Sequence, residues 1–276
     1  MLDDTRNTRR VRSAPRPPEA GHAAQAREAT PARQAAPAVA GDLVATDLVK
    51  TYGDGAAATH ALAGVDLTVP AGESLAVMGP SGSGKTTLLH CLAGIVTPTS
   101  GSVIWRGADL ATLSDRRRTA LRRSDFGFVF QSGRLLPELP AVENAALPLM
   151  LAGTPRDVAT AQAAQWLVRL GLAGMEQRRP GELSGGQAQR VAIARALAGS
   201  PGVVFADEPT GALDQPTGAD VIQMLVATAH AAGASLVVVT HDINVARHCA
   251  RIVTMYDGRI SGEDGAHTAP EGEHRR

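Results

Sequence analysis

The eight residues at positions 79–86, Gly79-Pro80-Ser81-Gly82-Ser83-Gly84-Lys85-Thr86, constrain this chain more than any other feature. They follow a short apolar run, Ser74–Met78, and precede a stretch with Leu88, Leu92 and Ile95 at helical spacing that closes at Gly94 and Pro98. Strand, glycine-rich loop and helix form the context in which backbone amides turn inward around phosphate oxygens, while the helix start points its positive end at the same anion. Gly82 and Gly84 permit that turn, and Lys85 is placed to reach the terminal phosphates. Thr86 is the expected hydroxyl ligand of Mg2+, a hard cation that prefers oxygen, and Thr87 completes the expected nucleotide contacts. The segment reads as a nucleoside triphosphate site.

The rest of the chain supplies the sheet that such a loop needs. Leu43–Tyr52 and residues 61–69 read as strands of an edge hairpin, the second ending at Pro70-Ala71-Gly72-Glu73. Residues 203–206 and 236–239 are short, wholly apolar runs that fit buried strands. Between them Val221, Ile222, Leu225, Val226 and Ala229 mark one helix face. Such alternation predicts an α/β fold with a mainly parallel sheet and helices on both sides.

Two further sites carry chemistry. The run Val203-Val204-Phe205-Ala206 ends in Asp207 and Glu208, and a strand ending in charge presents it at the edge where ligands bind in open α/β sheets. Asp207 is the expected Mg2+ partner and Glu208 the candidate general base for an attacking water. The segment Leu183-Ser184-Gly185-Gly186-Gln187 joins a Ser-Gly-Gly turn to a helix start, so it forms a second anion site of backbone amides and a hydroxyl. One chain thus holds two phosphate sites but only one lysine-bearing loop.

At this point the sequence resembles the ATP-binding subunits of ABC transporters, in which the Leu-Ser-Gly-Gly-Gln signature caps ATP held by the P-loop of the opposite subunit. The resemblance covers about residues 43–260 and implies a P-loop ABC cassette: a RecA-like core of mainly parallel sheet, an antiparallel β subdomain, and an inserted α-helical subdomain at about 132–185. It implies further roles residue by residue. Tyr52 matches the aromatic that stacks on adenine, and Gln131 matches the Q-loop glutamine that contacts Mg2+ and water. Asp214, in Gly211-Ala212-Leu213-Asp214, matches the D-loop that touches the partner subunit, and His241 matches the switch histidine that senses the γ-phosphate. Two departures stand out. Gly211 replaces a frequent serine, and Ala188 replaces a larger polar residue after the signature. Neither removes a phosphate ligand, so the resemblance implies an active ATPase, with ATP and Mg2+ bound at two equivalent sites of a head-to-tail homodimer.

The stretch from Gly127 to Gly153 and the later Ala206-Asp207-Glu208-Pro209-Thr210-Gly211-Ala212-Leu213-Asp214 resemble one subfamily, the ATPases of lipoprotein release and macrolide export. These pair with a separate, few-span, FtsX-like membrane permease and work by export, lipoprotein release or mechanotransmission. A cell-division ATPase that controls wall hydrolases is a close relative in sequence and stays open as an alternative. A soluble ABC ATPase acting on nucleic acid is a more distant one, because the chain has one cassette, no cysteine cluster and no heptad run.

Composition supports this placement. Basic and acidic side chains number 27 each, so nothing attracts the chain generally to a polyanion and no nucleic acid partner is expected. Lys50 and Lys85 are the two lysines among the basic residues, and arginine supplies the rest. The arginines at 116–118 and 122–123, spaced for a helix, read as a solvated face. Cys91 and Cys249 are expected to be buried thiols. Residues 1–41 and 261–276 lack apolar periodicity and are expected to be disordered, leaving 42–260 as the ATP-binding domain. No apolar segment follows Arg9-Arg10, so no export signal is expected. Residues 221–241 carry no charge but are interrupted by Gln223, His230, Gly233 and Ser235, and read as a helix followed by a strand. The expected location is therefore the cytoplasmic face of a bacterial plasma membrane, held there through the permease.

Overall fold

The computed structural model describes residues 41–264. The expectations for 1–40 and for 265–276 lie outside the described residues. In chain order the elements are β1 (Leu43–Tyr52), β2 (Thr59–Val69), β3 (Ser74–Met78), α1 (Lys85–Leu92), β4 (Ser100–Trp105), β5 (Ala108–Asp109), α2 (Asp115–Ser124) and β6 (Phe126–Phe130). Helices α3 (Ala141–Leu151), α4 (Arg156–Arg169) and α5 (Gly185–Ala198) follow. The chain then alternates through β7 (Val203–Asp207), α6 (Gln215–Ala231), β8 (Ser235–Val239), α7 (Ile243–Ala246), β9 (Arg251–Tyr256) and β10 (Arg259–Asp264).

These strands build two sheets. The smaller is antiparallel, in the order β2-β1-β4-β5, and the larger runs β10-β9-β3-β8-β7-β6. Strands β9, β3, β8, β7 and β6 are parallel, and β10 closes the edge antiparallel to β9. The larger sheet separates two cores. Leu75, Val77, Val203, Phe205, Val237 and Val239 face α1 and the smaller sheet, while Ala76, Val204, Ala206, Leu236 and Val238 face α5 and α6. A strand buried on both faces must be apolar at every position, which is why β3, β7 and β8 read as continuous hydrophobic runs.

Aromatic side chains are scarce, and they are concentrated at one place. All four phenylalanines lie on β6 and β7: Phe126 meets Phe205 edge-on at 5.3 Å, and Phe128 stacks on Phe205 at 5.7 Å and on Phe130 at 6.1 Å. Each such pair adds about 0.5–1.5 kcal/mol beyond its area burial. Together they fasten the edge strand that leads to Gln131 onto the strand that leads to Glu208. On the other face, α5 approaches β6 so closely that a Cβ on Gly127 would lie 2.3 Å from the carbonyl oxygen of Ala196.

Three features differ from expectation. Strand β10 runs to Asp264, past the expected domain end at 260: Glu263 pairs with Val253, and Asp264 with Ile252. An edge strand held by backbone bonds and by the Arg251–Glu263 ion pair at 3.0 Å needs no apolar periodicity, so composition concealed it. Ile95 lies beyond the end of α1 and is exposed rather than part of its buried face. Helix α2 carries the arginine run, but Arg122 donates to the Gly94 carbonyl at 2.6 Å and is not merely solvated. The uncharged stretch at 221–241 is helix and strand as expected, and among the described residues no helix is long and apolar enough to cross a membrane.

Candidate functional site

Four loops leave the larger sheet at one edge. Val77 of β3 is in register with Val239 of β8, Val239 with Asp207 of β7, and Asp207 with Phe130 of β6. The glycine-rich loop, Gln131, Glu208 and His241 therefore all begin at the carboxyl ends of neighbouring parallel strands, the usual ligand-binding edge of such sheets.

In the first loop Gly84 is the N-cap of α1, with φ of 98°, and a Cβ there would lie 2.2 Å from the carbonyl oxygen of Ala61. Only glycine satisfies both conditions. Pro80, Ser81, Gly82 and Thr86 are exposed, whereas Ser83 and Lys85 are buried. Lys85 Nζ donates to the carbonyls of Gly79 at 2.9 Å and Pro80 at 2.8 Å, so the loop curls around its own ammonium. The Ser83 hydroxyl is buried and has no hydrogen-bond partner. A curled loop with an inward ammonium, an orphaned hydroxyl and a helix start suits a phosphate chain.

Thr86 Oγ1 donates to Asp207 Oδ1 at 3.3 Å, bringing together two groups that lie far apart in sequence. Burial pushes the Asp207 carboxyl above its usual range, opposed by the Thr86 hydrogen bond and by His90, with Glu208 adding to the rise. A hydroxyl beside a carboxylate that burial disfavours is a donor set suited to a hard divalent cation.

Glu208 takes a left-handed backbone, φ 47°, and its amide donates to the Val239 carbonyl at 2.9 Å. This turns the side chain back over β8. There Oε1 lies 2.8 Å from His241 Nδ1, and Oε2 accepts from Thr240 Oγ1 at 3.4 Å. Gln131 is exposed just past β6, and its side chain lies over Gly211: a Cβ on Gly211 would stand 2.8 Å from Nε2. The glycine departure noted in the sequence leaves room for that glutamine.

The signature segment opens α5. Ser184 caps α5, its hydroxyl accepting from the Gln187 amide at 3.3 Å while Gln187 Oε1 accepts from the Ser184 amide at 2.9 Å. That capping box leaves the amides of Gly185 and Gly186 without an acceptor inside the helix. Among the described residues no hydrogen bond joins this segment to the Lys85 loop. Asp214 caps α6, accepting from the amide and the hydroxyl of Thr217, each at 3.0 Å, and these bonds hold its carboxyl below the usual range. Tyr52, at the end of β1, is 43% exposed.

Two residues missed in the sequence hold the Gln131 loop. Buried Gln189 donates to the Phe130 carbonyl at 2.9 Å, and Arg195 donates to the carbonyls of Gly133 at 2.6 Å and Arg134 at 2.8 Å. Both lie on α5, so the helix that starts at the signature also clamps the loop carrying the glutamine. The available signal was a glutamine on an otherwise apolar helix face shared with Ala192 and Ala196.

Fold and site define a class. A family profile described as ABC transporter matches residues 62–211, more than half of the chain. The chain belongs to the ABC transporter family, as an ATP-binding and ATP-hydrolysing subunit. The lipoprotein-releasing system ATP-binding protein LolD of Shewanella frigidimarina is 47% identical over 223 residues, covering 81% of this chain and 92% of that protein. The LolD of Geobacter metallireducens is 46% identical over 214 residues, covering 78% and 95%. Among solved structures, a dimeric post-hydrolysis state of the ATP-binding cassette MJ0796 bound to ADP and phosphate aligns with TM-score 0.74 and 40% identity, covering 81% of this chain and 98% of that one.

Proposed function

We propose that this chain is the ATPase of a lipoprotein-releasing type of complex, driving a separate, few-span, FtsX-like permease from the cytoplasmic face of a bacterial plasma membrane. The observation that carries the catalytic part is the convergence of Lys85, Thr86 with Asp207, and Glu208 with His241 on one sheet edge. A second anion site with no hydrogen bond to the P-loop among the described residues suits closure by a second copy.

In this reading Gly79–Thr87 wraps the phosphates and Lys85 exchanges its two carbonyl partners for phosphate oxygens. Tyr52 receives the adenine. Thr86, Asp207 and Gln131 would hold Mg2+, which supplies charge neutralisation on the phosphates. Glu208 accepts a proton from the attacking water, and His241 keeps its carboxylate aimed. The chemistry is phosphoryl transfer to water, in which the protein contributes position and charge rather than a covalent intermediate. Ser184, Gly185, Gly186 and Gln187 of the second copy complete each site, with Asp214 nearby on the D-loop.

A cavity of about 470 Å³ between α2, β6, α3 and α5 supports the permease part. Phe128, Phe130, Leu147 and Leu151 line it together with Arg122, Arg134 and Arg195. A lining that mixes apolar side chains with cations fits a short amphipathic helix bearing carboxylates. It adjoins the loop that holds Gln131, so a push there reaches the nucleotide.

The test is recovery of the Glu208→Gln variant from gently solubilised membranes in ATP and Mg2+, with its companions identified by mass spectrometry. A four-span permease with a large external domain, together with other lipoprotein-release components, is expected. Recovery with cell-wall hydrolase regulators, or with nucleic acid and no membrane protein, would overturn the reading.

A further inference from the structure

Lys50 is the other of the chain's two lysines, and the phosphate loop makes no use of it. It stands two residues before Tyr52 on β1, and its Nζ lies 5.0 Å from the centroid of the Tyr52 ring. The same Nζ donates to the Thr97 carbonyl at 3.0 Å. Two further hydrogen bonds press the same turn against the strand: the Thr99 amide donates to the Val49 carbonyl at 2.8 Å, and the Thr51 amide donates to Thr99 Oγ1 at 3.0 Å. That turn follows α1, the helix that begins at Lys85. The ammonium is therefore shared between an aromatic ring on one element and a carbonyl tied to the phosphate-loop helix.

A cation within about 6 Å of a ring centroid is attracted by the negative face of the π system. A tyrosine at a strand end would otherwise sample several orientations, and holding it in one costs side-chain entropy at the moment of binding. With the ammonium against it and 43% of the residue still exposed, Tyr52 keeps room for a flat ligand. We infer that Lys50 is a positioning residue for the nucleobase: it fixes the Tyr52 ring relative to α1, so that base and phosphates of one nucleotide are received at a set separation. This rests on the reading that Tyr52 stacks on adenine. Lys50 touches no phosphate in this scheme, so its contribution appears in nucleotide binding and not in the hydrolytic step.

The experiment measures KM for ATP and kcat on the full-length protein for Lys50→Gln, Lys50→Arg, Tyr52→Ala and the double variant Lys50→Gln/Tyr52→Ala. Lys50→Gln is expected to raise KM about two- to fivefold with kcat unchanged. Lys50→Arg, which keeps a cation over the ring, restores KM. In the Tyr52→Ala background Lys50→Gln has no further effect, because the two act through one contact. An equal rise in KM in that background, a fall in kcat, or no change on Lys50→Gln while Tyr52→Ala raises KM would overturn the inference. If Tyr52→Ala itself leaves KM unchanged, the adenine-stacking reading fails first, and the inference with it. Should Lys50→Gln not fold, Lys50→Met, which keeps the aliphatic stem, carries the same comparison.

Discussion

Glu208 and His241 meet 2.8 Å apart, Oε1 to Nδ1, although they leave the sheet from different strands. A carboxylate only accepts, so Nδ1 carries the shared proton, and the side chain is largely exposed. His241→Ala should lower kcat by about 100-fold, the scale of an oriented acid–base group. Because the ring is exposed, the change should cost under about 1 kcal/mol of stability. ATPase assays and thermal melts of the one variant check both halves. A large loss of stability with little loss of rate would reassign His241 to the fold.

Asp207 gives a prediction with opposite signs for activity and stability. Its carboxyl is raised above the usual value by burial. A raised group contributes stability that is present below its unfolded value, about 3.9, and is lost as pH rises through the higher folded value. Near neutrality the ionised, half-buried carboxylate is thus a liability without nucleotide. Asp207→Asn should melt higher than wild type at about pH 7, with the gap narrowing toward acid. It should also lose most Mg2+-dependent hydrolysis. Calorimetry without nucleotide across that range, beside ATPase assays, tests it.

Gly127 is a close-approach position, not a turn. A methyl group there would stand 2.3 Å from the Ala196 carbonyl oxygen, forcing β6 and α5 apart. Overpacking of this kind costs about 1–3 kcal/mol. Urea unfolding of Gly127→Ala should show that loss. Hydrolysis should fall further than stability alone explains, because β6 and α5 jointly hold the Gln131 loop.

Both thiols should be silent in the native protein. Burial pushes the Cys91 thiol up to about 11 and the Cys249 thiol to about 12. Little thiolate forms at about pH 8, so iodoacetamide should label neither until denaturant is added. In linkage terms, the folded protein holds these protons where the unfolded chain, at about 8.5, has released them. Stability should therefore decline as pH climbs from that value toward 11 and 12. Alkylation mass spectrometry and alkaline melting curves report on the two effects separately.

The signature segment offers a separate test of the two-copy site. Ser184→Ala removes the capping hydroxyl of α5, which costs about 1 kcal/mol. If a second copy's signature closes each site, the same change in a Glu208→Gln background should also abolish the ATP-dependent dimer seen by gel filtration. A dimer that persists would remove Ser184 from the interface.

Much of this molecule is legible along the chain, because its chemistry sits in short segments. Residues 79–86, 183–187 and 203–208 each form a local unit, and local units leave local patterns. Strands β3, β7 and β8 were readable for the same reason, since burial on both faces demands an unbroken apolar run. Relations between residues far apart in sequence arise only when the chain packs in three dimensions. Among them are the neighbour order β9-β3-β8-β7-β6, the meeting of Thr86 with Asp207 and the clamp of Gln189 and Arg195 on the Gln131 loop. The charged edge strand β10 and the ammonium of Lys50 over Tyr52 belong with them. A polar side chain whose partner lies dozens of residues away produces no periodicity and no motif. Its role exists only once strand pairing and helix packing have brought the two together.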